Sequence, residues 1–209
     1  EAKAALKVSA NDMDAYINMG LVYMDQGKYD LATFVFQKAL VSIPVAANNA
    51  PLYCNLGWIQ YLKGDEYNAL LNMKRATELD DRLLPALVYQ AHMYLDDRNY
   101  EDMVPLLERA KEQSPGNYGV LMNLGIAYRG VGRFAEAEDA FKRALKLEPK
   151  NPDPYFNLGI LYGDFAIDDQ GAKRYDDAIK AYESYIKRGG SKKDLVAEYI
   201  EKVKEDQVQ

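Results

Sequence analysis

Cysteine and histidine, the usual carriers of metal and nucleophile chemistry, each occur once in this 209-residue chain, as Cys54 and His92. A single cysteine excludes an internal disulfide and any cysteine-rich metal site, and it is as compatible with the bacterial periplasm as with the cytoplasm. His92 has no second histidine, no HExxH and no CxxC beside it, so a zinc ion would lack ligands. Cys54 has no base in its sequence context and falls on a predicted helix, which argues against nucleophilic catalysis. Gly130 and Gly132 sit at a helix–helix turn with no preceding strand and no GK[ST], so they do not form a phosphate cradle. Asp164, Asp168 and Asp169 lack EF-hand spacing. No apolar run reaches the roughly 18 residues that span a bilayer. The net charge of −6 leaves no basic footprint for nucleic acid and disfavours docking on an anionic membrane. These absences point to a non-enzyme without cofactor or metal. The N-terminus has neither an initiator Met nor an apolar signal segment, so the chain reads as a processed or excised piece of something longer.

What the chain does have is repetition. Tyr53, Leu87, Leu121 and Tyr155 lie 34 residues apart three times running. Each is followed at fixed distance by a small residue, Gly57, Ala91, Gly125 and Gly159, as Tyr16 is by Gly20. A glycine inside a helix costs about 1 kcal/mol relative to alanine, so its recurrence requires a packing reason. Seventeen tyrosines follow from a repeat that places Tyr at set positions.

The clearest copy runs from Tyr118 to Asn151: Leu121, Leu124-Gly125 and Tyr128, then a turn, then Ala137, Phe141, Ala144 and Pro149. This pattern resembles the tetratricopeptide repeat, a helix–turn–helix unit of period 34 that stacks into solenoids. The resemblance implies an all-α, right-handed α-solenoid of about five helix pairs, at residues 13–49, 50–83, 84–117, 118–151 and 152–190. Residues 1–12 match the end of a preceding repeat. Residues 191–209 carry an apolar stripe of Val196, Tyr199, Ile200 and Val203 at helical spacing, expected as a solvating cap for the solenoid end. Three irregularities stand out. Tyr16 to Tyr53 is 37 residues, which predicts a longer connection over 45–50. Pro105 lies inside a second helix and is expected to kink it or delay its start. The fifth unit holds seven extra residues near 163–174, read either as a loop or as extended helices.

In this family the first helix of each pair lines a concave surface. Positions two, five, six, nine, twelve and thirteen of that helix share its inward face. Position six reads Asn18, Asn55, Tyr89, Asn123 and Asn157. An asparagine side chain both donates and accepts, so such a row can hold the backbone of an extended peptide; the competing reading is a common residue without a ligand. Trp58, Tyr61, Tyr89, His92, Ile126 and Phe156 form the apolar part of the candidate face, with Trp and Tyr as favoured anchors, against the alternative that several pack between neighbouring repeats. Phe165 and Ile167 are apolar for a passive insertion and suggest a partner contact, a fold-back onto the groove or simple tolerance. The known recognition of chaperone C-terminal tails is disfavoured: where it needs Lys, Asn, Asn, Lys and Arg, this chain has Ile17, Leu21, Asn55, Pro85 and Tyr89. The sequence thus leads to a protein-binding scaffold that holds a protein or extended peptide. Two alternatives stand: the recruiting region of a larger enzyme or assembly, and self-association through the solenoid ends.

Overall fold

The computed structural model describes residues 12–165 and 173–208. Within them the chain forms eleven α-helices and no strand. They are α1 (Met13–Asp25), α2 (Tyr29–Ser42), α3 (Ala50–Leu62), α4 (Glu66–Leu79), α5 (Leu84–Asp96), α6 (Tyr100–Gln113), α7 (Tyr118–Gly130), α8 (Phe134–Leu147), α9 (Asp153–Ile160), α10 (Tyr175–Lys187) and α11 (Lys193–Val208). The pairs α1–α2, α3–α4, α7–α8 and α9–α10 pack together, α5 and α6 follow one another in the same helix–turn–helix order, and α11 packs on α10 at the end. The solenoid architecture expected from the repeats is therefore the one found. Two compact units divide within α5, the first ending at Met93 and the second starting at Tyr94.

Local chemistry sets the helix ends. Asp12, Asn49, Asp65, Asn99 and Asn117 each accept from backbone N–H groups of the following first turn, which satisfies donors that the helix itself leaves open. The turns between paired helices need a left-handed residue, supplied by Gly27, Gly64 and Gly132. Arg98 occupies the same place in the third pair, at φ 55°, a conformation costly for a side chain with a Cβ. The longer connection after α2 is a 3₁₀ turn, Pro44–Asn48, whose Ala46 is buried. Pro105 does not delay its helix. Asn99 caps α6 so that it starts at Tyr100, and the helix continues through the proline.

In the first unit, Tyr16, Val35, Phe36, Leu52, Leu56 and Ile59 form one buried cluster. A second gathers Cys54, Ala69, Met73, Ala76, Ala86 and Met93. The second unit buries Leu107, Leu121, Leu124, Phe141 and Leu158 in the same way. The recurring glycine now has its reason: a Cβ on Gly125 would enter the Phe141 ring, and one on Gly159 the Tyr182 ring. The first helix can lie directly on an aromatic of its pair mate only where it has no side chain.

Tyrosine, glutamate and arginine tie successive pairs of the second unit together. The Tyr128 hydroxyl donates to Glu108 (2.8 Å), Arg133 pairs with the same carboxylate (3.1 Å), and the guanidinium lies 4.3 Å from the Tyr128 ring centre. One pair later, Tyr162 donates to Glu138 (2.8 Å), Arg174 pairs with it (2.8 Å) and lies 4.1 Å from the Tyr162 ring centre. The tyrosine and arginine are five residues apart in the first case and twelve in the second. The insertion is thus added between two fixed anchors. On its near side α9 widens into a π-helical turn, Leu161–Phe165, so the chain leaves the regular helix before the added residues. In the cap, Val196, Ile200 and Val203 are buried and α11 packs on α10.

Candidate functional site

The strongest concentration of unusual side chains lies on the first helices of the first unit. Tyr53, Trp58 and Tyr61 on α3 and Tyr89 on α5 border the core cluster around Cys54 and Met73. Trp58 and Tyr61 are three residues apart, and Tyr89 and His92 repeat that spacing on the next first helix, so each pair shares one helical face. Trp58 stacks on Tyr89 with ring centres 4.3 Å apart and planes 12° apart. It also stacks on Tyr61, at 5.2 Å and 19°. His92 meets Tyr61 edge-on at 5.7 Å and tilts toward Trp58 at 6.5 Å. All four residues are half-buried. The Trp58 indole is thus fixed by two tyrosines. Stacking of this kind contributes about 0.5–1.5 kcal/mol per pair and holds the rings as one preorganised surface.

The asparagines divide. Among the described residues, the side chains of Asn18, Asn55 and Asn123 make no hydrogen bond; Asn18 is exposed and the other two are half-buried. Asn157 is engaged, donating to the Asp153 carbonyl (3.0 Å) and accepting from Arg129 (3.4 Å). Ile126 is half-buried. Phe156 belongs to an internal aromatic group with Tyr185 (5.4 Å), Tyr199 (6.4 Å) and Tyr182 (6.5 Å), and the Lys192 ammonium lies 5.0 Å from its ring centre. Of the insertion pair, Phe165 stacks on Phe134 at 5.2 Å, at the start of α8; Ile167 lies outside the described residues. Arg129, at position twelve of α7, was not singled out by sequence. The corresponding residues of the other first helices, Met24, Tyr61, Leu95 and Gly163, could have marked it as the one cation in that row.

Burial pushes the Cys54 thiol up to about 12, so it stays a protonated, core-packed thiol at neutral pH. Burial, followed by the nearby Cys54, also raises Tyr89. Among the described residues no three His, Cys, Asp or Glu side chains come together to hold a metal. No described helix is long and apolar enough to cross a membrane.

Tetratricopeptide repeat signatures match residues 14–41, 50–82, 119–151 and 140–180. This chain belongs to the tetratricopeptide repeat family. The third helix pair, which departs most from the repeat in residue types, lies between these matches and is placed by its helices. Among curated relatives, the chain is 29% identical over 132 residues to the protein CTR9 homolog of Arabidopsis thaliana, covering 60% of this chain and 12% of that protein. It is 21% identical over 209 residues to the BBSome complex member BBS4 of Bos taurus, covering 95% of this chain and 40% of that one. It thus spans well under half of the length of either. Among solved structures, YrrB, described as a TPR protein with an unusual peptide-binding site, superposes with a TM-score of 0.81 at 17% identity, over 96% of this chain and 97% of YrrB. MamA of Desulfovibrio magneticus superposes with a TM-score of 0.69 at 19% identity, over 84% and 92%. These likenesses establish a shared fold. The tetratricopeptide repeat is in general a protein-interaction module, and this chain is a repeat scaffold of the protein-interaction type.

Proposed function

We propose that the chain binds an extended segment of another protein on the face formed by its first helices, with the Trp58 stack as the anchoring surface. The observation that carries this reading is the preorganised, half-buried group of Trp58, Tyr61, Tyr89 and His92. Large rigid aromatics lose little conformational freedom on binding and dominate interface energetics. Asn55 and Asn123, whose amides have no partner among the described residues, supply donors and acceptors for a peptide backbone. Asn157 is a weaker member of the row, because Arg129 and its own helix already engage it.

The test uses peptides selected from a random phage-displayed library on the immobilised protein. Trp58→Ala and Asn123→Ala should each weaken the selected peptides while the far-ultraviolet circular dichroism stays that of the parent. Unchanged affinity in both variants refutes the reading.

A second reading is favoured by the relatives. The chain spans 12%, 16% and 40% of the CTR9 homolog, the rhomboid protease GluP of Bacillus subtilis and BBS4, so repeats of this kind occur within longer proteins and assemblies. In that reading the same face recruits a partner to a larger enzyme or complex, and the full reading frame from the native source decides it.

A further inference from the structure

The second helices of the first two pairs turn apolar residues outward where later pairs carry charge. α2 exposes Leu31, Phe34 and Val41, and α4 exposes Tyr67 and Leu71, with Phe34 62% and Val41 88% accessible. By the repeat, Phe34 is equivalent to Leu71, Pro105, Asp139 and Lys180, and Val41 to Glu78, Glu112, Lys146 and Lys187. All of these residues are exposed. Exposure therefore belongs to the position within the repeat, and charged residues serve there in the later pairs. Nothing in the packing of the helix pair asks for a phenyl ring or a valine at these places. Contiguous exposed apolar surface of this kind marks an interaction face.

The α2 face is complementary to itself. Asp30, Phe34 and Lys38 follow at intervals of four, so they form one ridge of the helix surface, with an anion and a cation equally spaced on either side of an aromatic ring. When two such ridges meet antiparallel about a twofold axis at Phe34, ring meets ring and each Asp30 meets Lys38 of the second copy. Interlocking of such ridges is the commonest helix packing in globular proteins, at a crossing of about 50°. Both charges are accessible: the Asp30 side chain is 90% exposed with one oxygen on Lys63 (2.6 Å), and Lys38 has no ion pair among the described residues. On α8 and α10 the central residue is Asp139 or Lys180, which a copy of itself would repel. The size also fits. A whole aromatic side chain buries about 150–250 Å², so the exposed parts of these five apolar residues come to on the order of 500 Å². Each partner of a standard interface contributes roughly 800 Å², and the polar rim of Asp30, Gln37 and Lys38 supplies the remainder.

From this surface we propose that two copies of the chain pair through the outer face of α2, antiparallel about a twofold axis at Phe34 and flanked by Tyr67 and Leu71 of α4. The contact is isologous and closes at two copies, which separates it from end-to-end association of the solenoid. It uses second helices only and is independent of the Trp58 surface.

Sedimentation equilibrium of the whole chain, at concentrations from about 1 µM to about 1 mM, tests it. The weight-average mass should rise from that of one chain to that of two and then level. Phe34→Asp sets two carboxylates at the axis and should weaken the pairing at least about a hundredfold, with circular dichroism and thermal melting those of the parent. Lys38→Glu should weaken it at least about tenfold, through like charges facing each other twice. Asp30→Lys combined with Lys38→Glu should restore it to within about threefold, a rescue that only this register supplies. Lys180→Asp, at the equivalent position of α10, should change nothing. A single-chain mass at every concentration overturns the proposal and leaves the face to a different protein. A mass that climbs past two chains, pairing that survives Phe34→Asp, or a double variant that fails to recover also overturns it. Trp58→Ala should leave the pairing intact, so this result and the peptide-binding one are read separately.

Discussion

Replacing Glu138 by glutamine tests the electrostatic tie that spans the insertion. Glu138 accepts from Tyr162 (2.8 Å) and pairs with Arg174 (2.8 Å) and Lys142 (2.6 Å), with its side chain 18% exposed. Burial by itself would raise its pKa, but the hydrogen bonds from Lys142, Arg174 and Tyr162 and the charge of Arg174 hold it at about 2. An unperturbed glutamate titrates near about 4.3, and each pH unit of difference corresponds to about 1.4 kcal/mol, which gives an upper bound of about 3 kcal/mol. The Lys142 side chain is 55% exposed, so solvent screening reduces the expected contribution to about 1–2 kcal/mol. The sign follows from linkage. The folded pKa lies below the unfolded one, so the stabilisation is complete above pH about 4.3 and is lost as the pH falls toward about 2. Urea denaturation followed by circular dichroism should therefore show Glu138→Gln less stable than the parent by about 1–2 kcal/mol at pH 7, with the gap narrowing below pH about 4.3. Glu108→Gln, in the same motif but with a side chain 38% exposed, is the control and should cost less. A gap that does not change with pH, or an equal loss at Glu108, refutes the reasoning.

Other substitutions probe the packing and the turns. Gly125→Ala adds helix propensity of about 1 kcal/mol but drives a methyl into Phe141; overpacking of about 1–3 kcal/mol should win, and Phe141→Leu in the same chain should restore part of the loss in thermal melts. Arg98→Gly relieves a left-handed backbone at φ 55° and should raise the urea midpoint, by up to about 1 kcal/mol of stability. Cys54, 3% exposed with its thiol pushed up to about 12, should react with a thiol reagent at pH 8 only after denaturation; prompt labelling of the folded protein contradicts its placement.

The fold was legible because the repeat is written in spacing. Four anchors 34 residues apart, with Tyr16 a further 37 residues before the first, marked the helix pairs, and the recurring glycine called for a packing reason that Phe141 and Tyr182 supply. The apolar stripe of Val196, Ile200 and Val203 likewise gave the cap. The irregularities were less legible. Pro105 has strong local preferences, yet the cap at Asn99 and the buried Met103 and Leu107 keep α6 starting at Tyr100. The insertion could be counted but not shaped, since its two anchors, Tyr162 and Arg174, meet each other and Glu138 of another helix pair only in the tertiary structure. At the candidate site the sequence named Trp58, Tyr61, Tyr89 and His92 as neighbours of one face, but not that they stack. It also placed Phe156 on the candidate face, without indicating that the ring packs with Tyr182, Tyr185 and Tyr199. Whether a half-buried side chain meets its own fold or a ligand depends on tertiary contacts that residue type and position do not encode.

Trp58 is the only tryptophan in the chain, so its fluorescence reports on the proposed anchor without a label. Titration of the protein with a library-selected peptide free of tryptophan is the most direct measurement. A peptide on the Trp58–Tyr89 surface should shift or quench the emission saturably, with a Kd matching calorimetry, and Tyr89→Ala should weaken that Kd at least about tenfold, as expected of a central aromatic anchor. Calorimetric binding with unchanged Trp58 emission and no effect of Tyr89→Ala would place the peptide elsewhere and contradict the account.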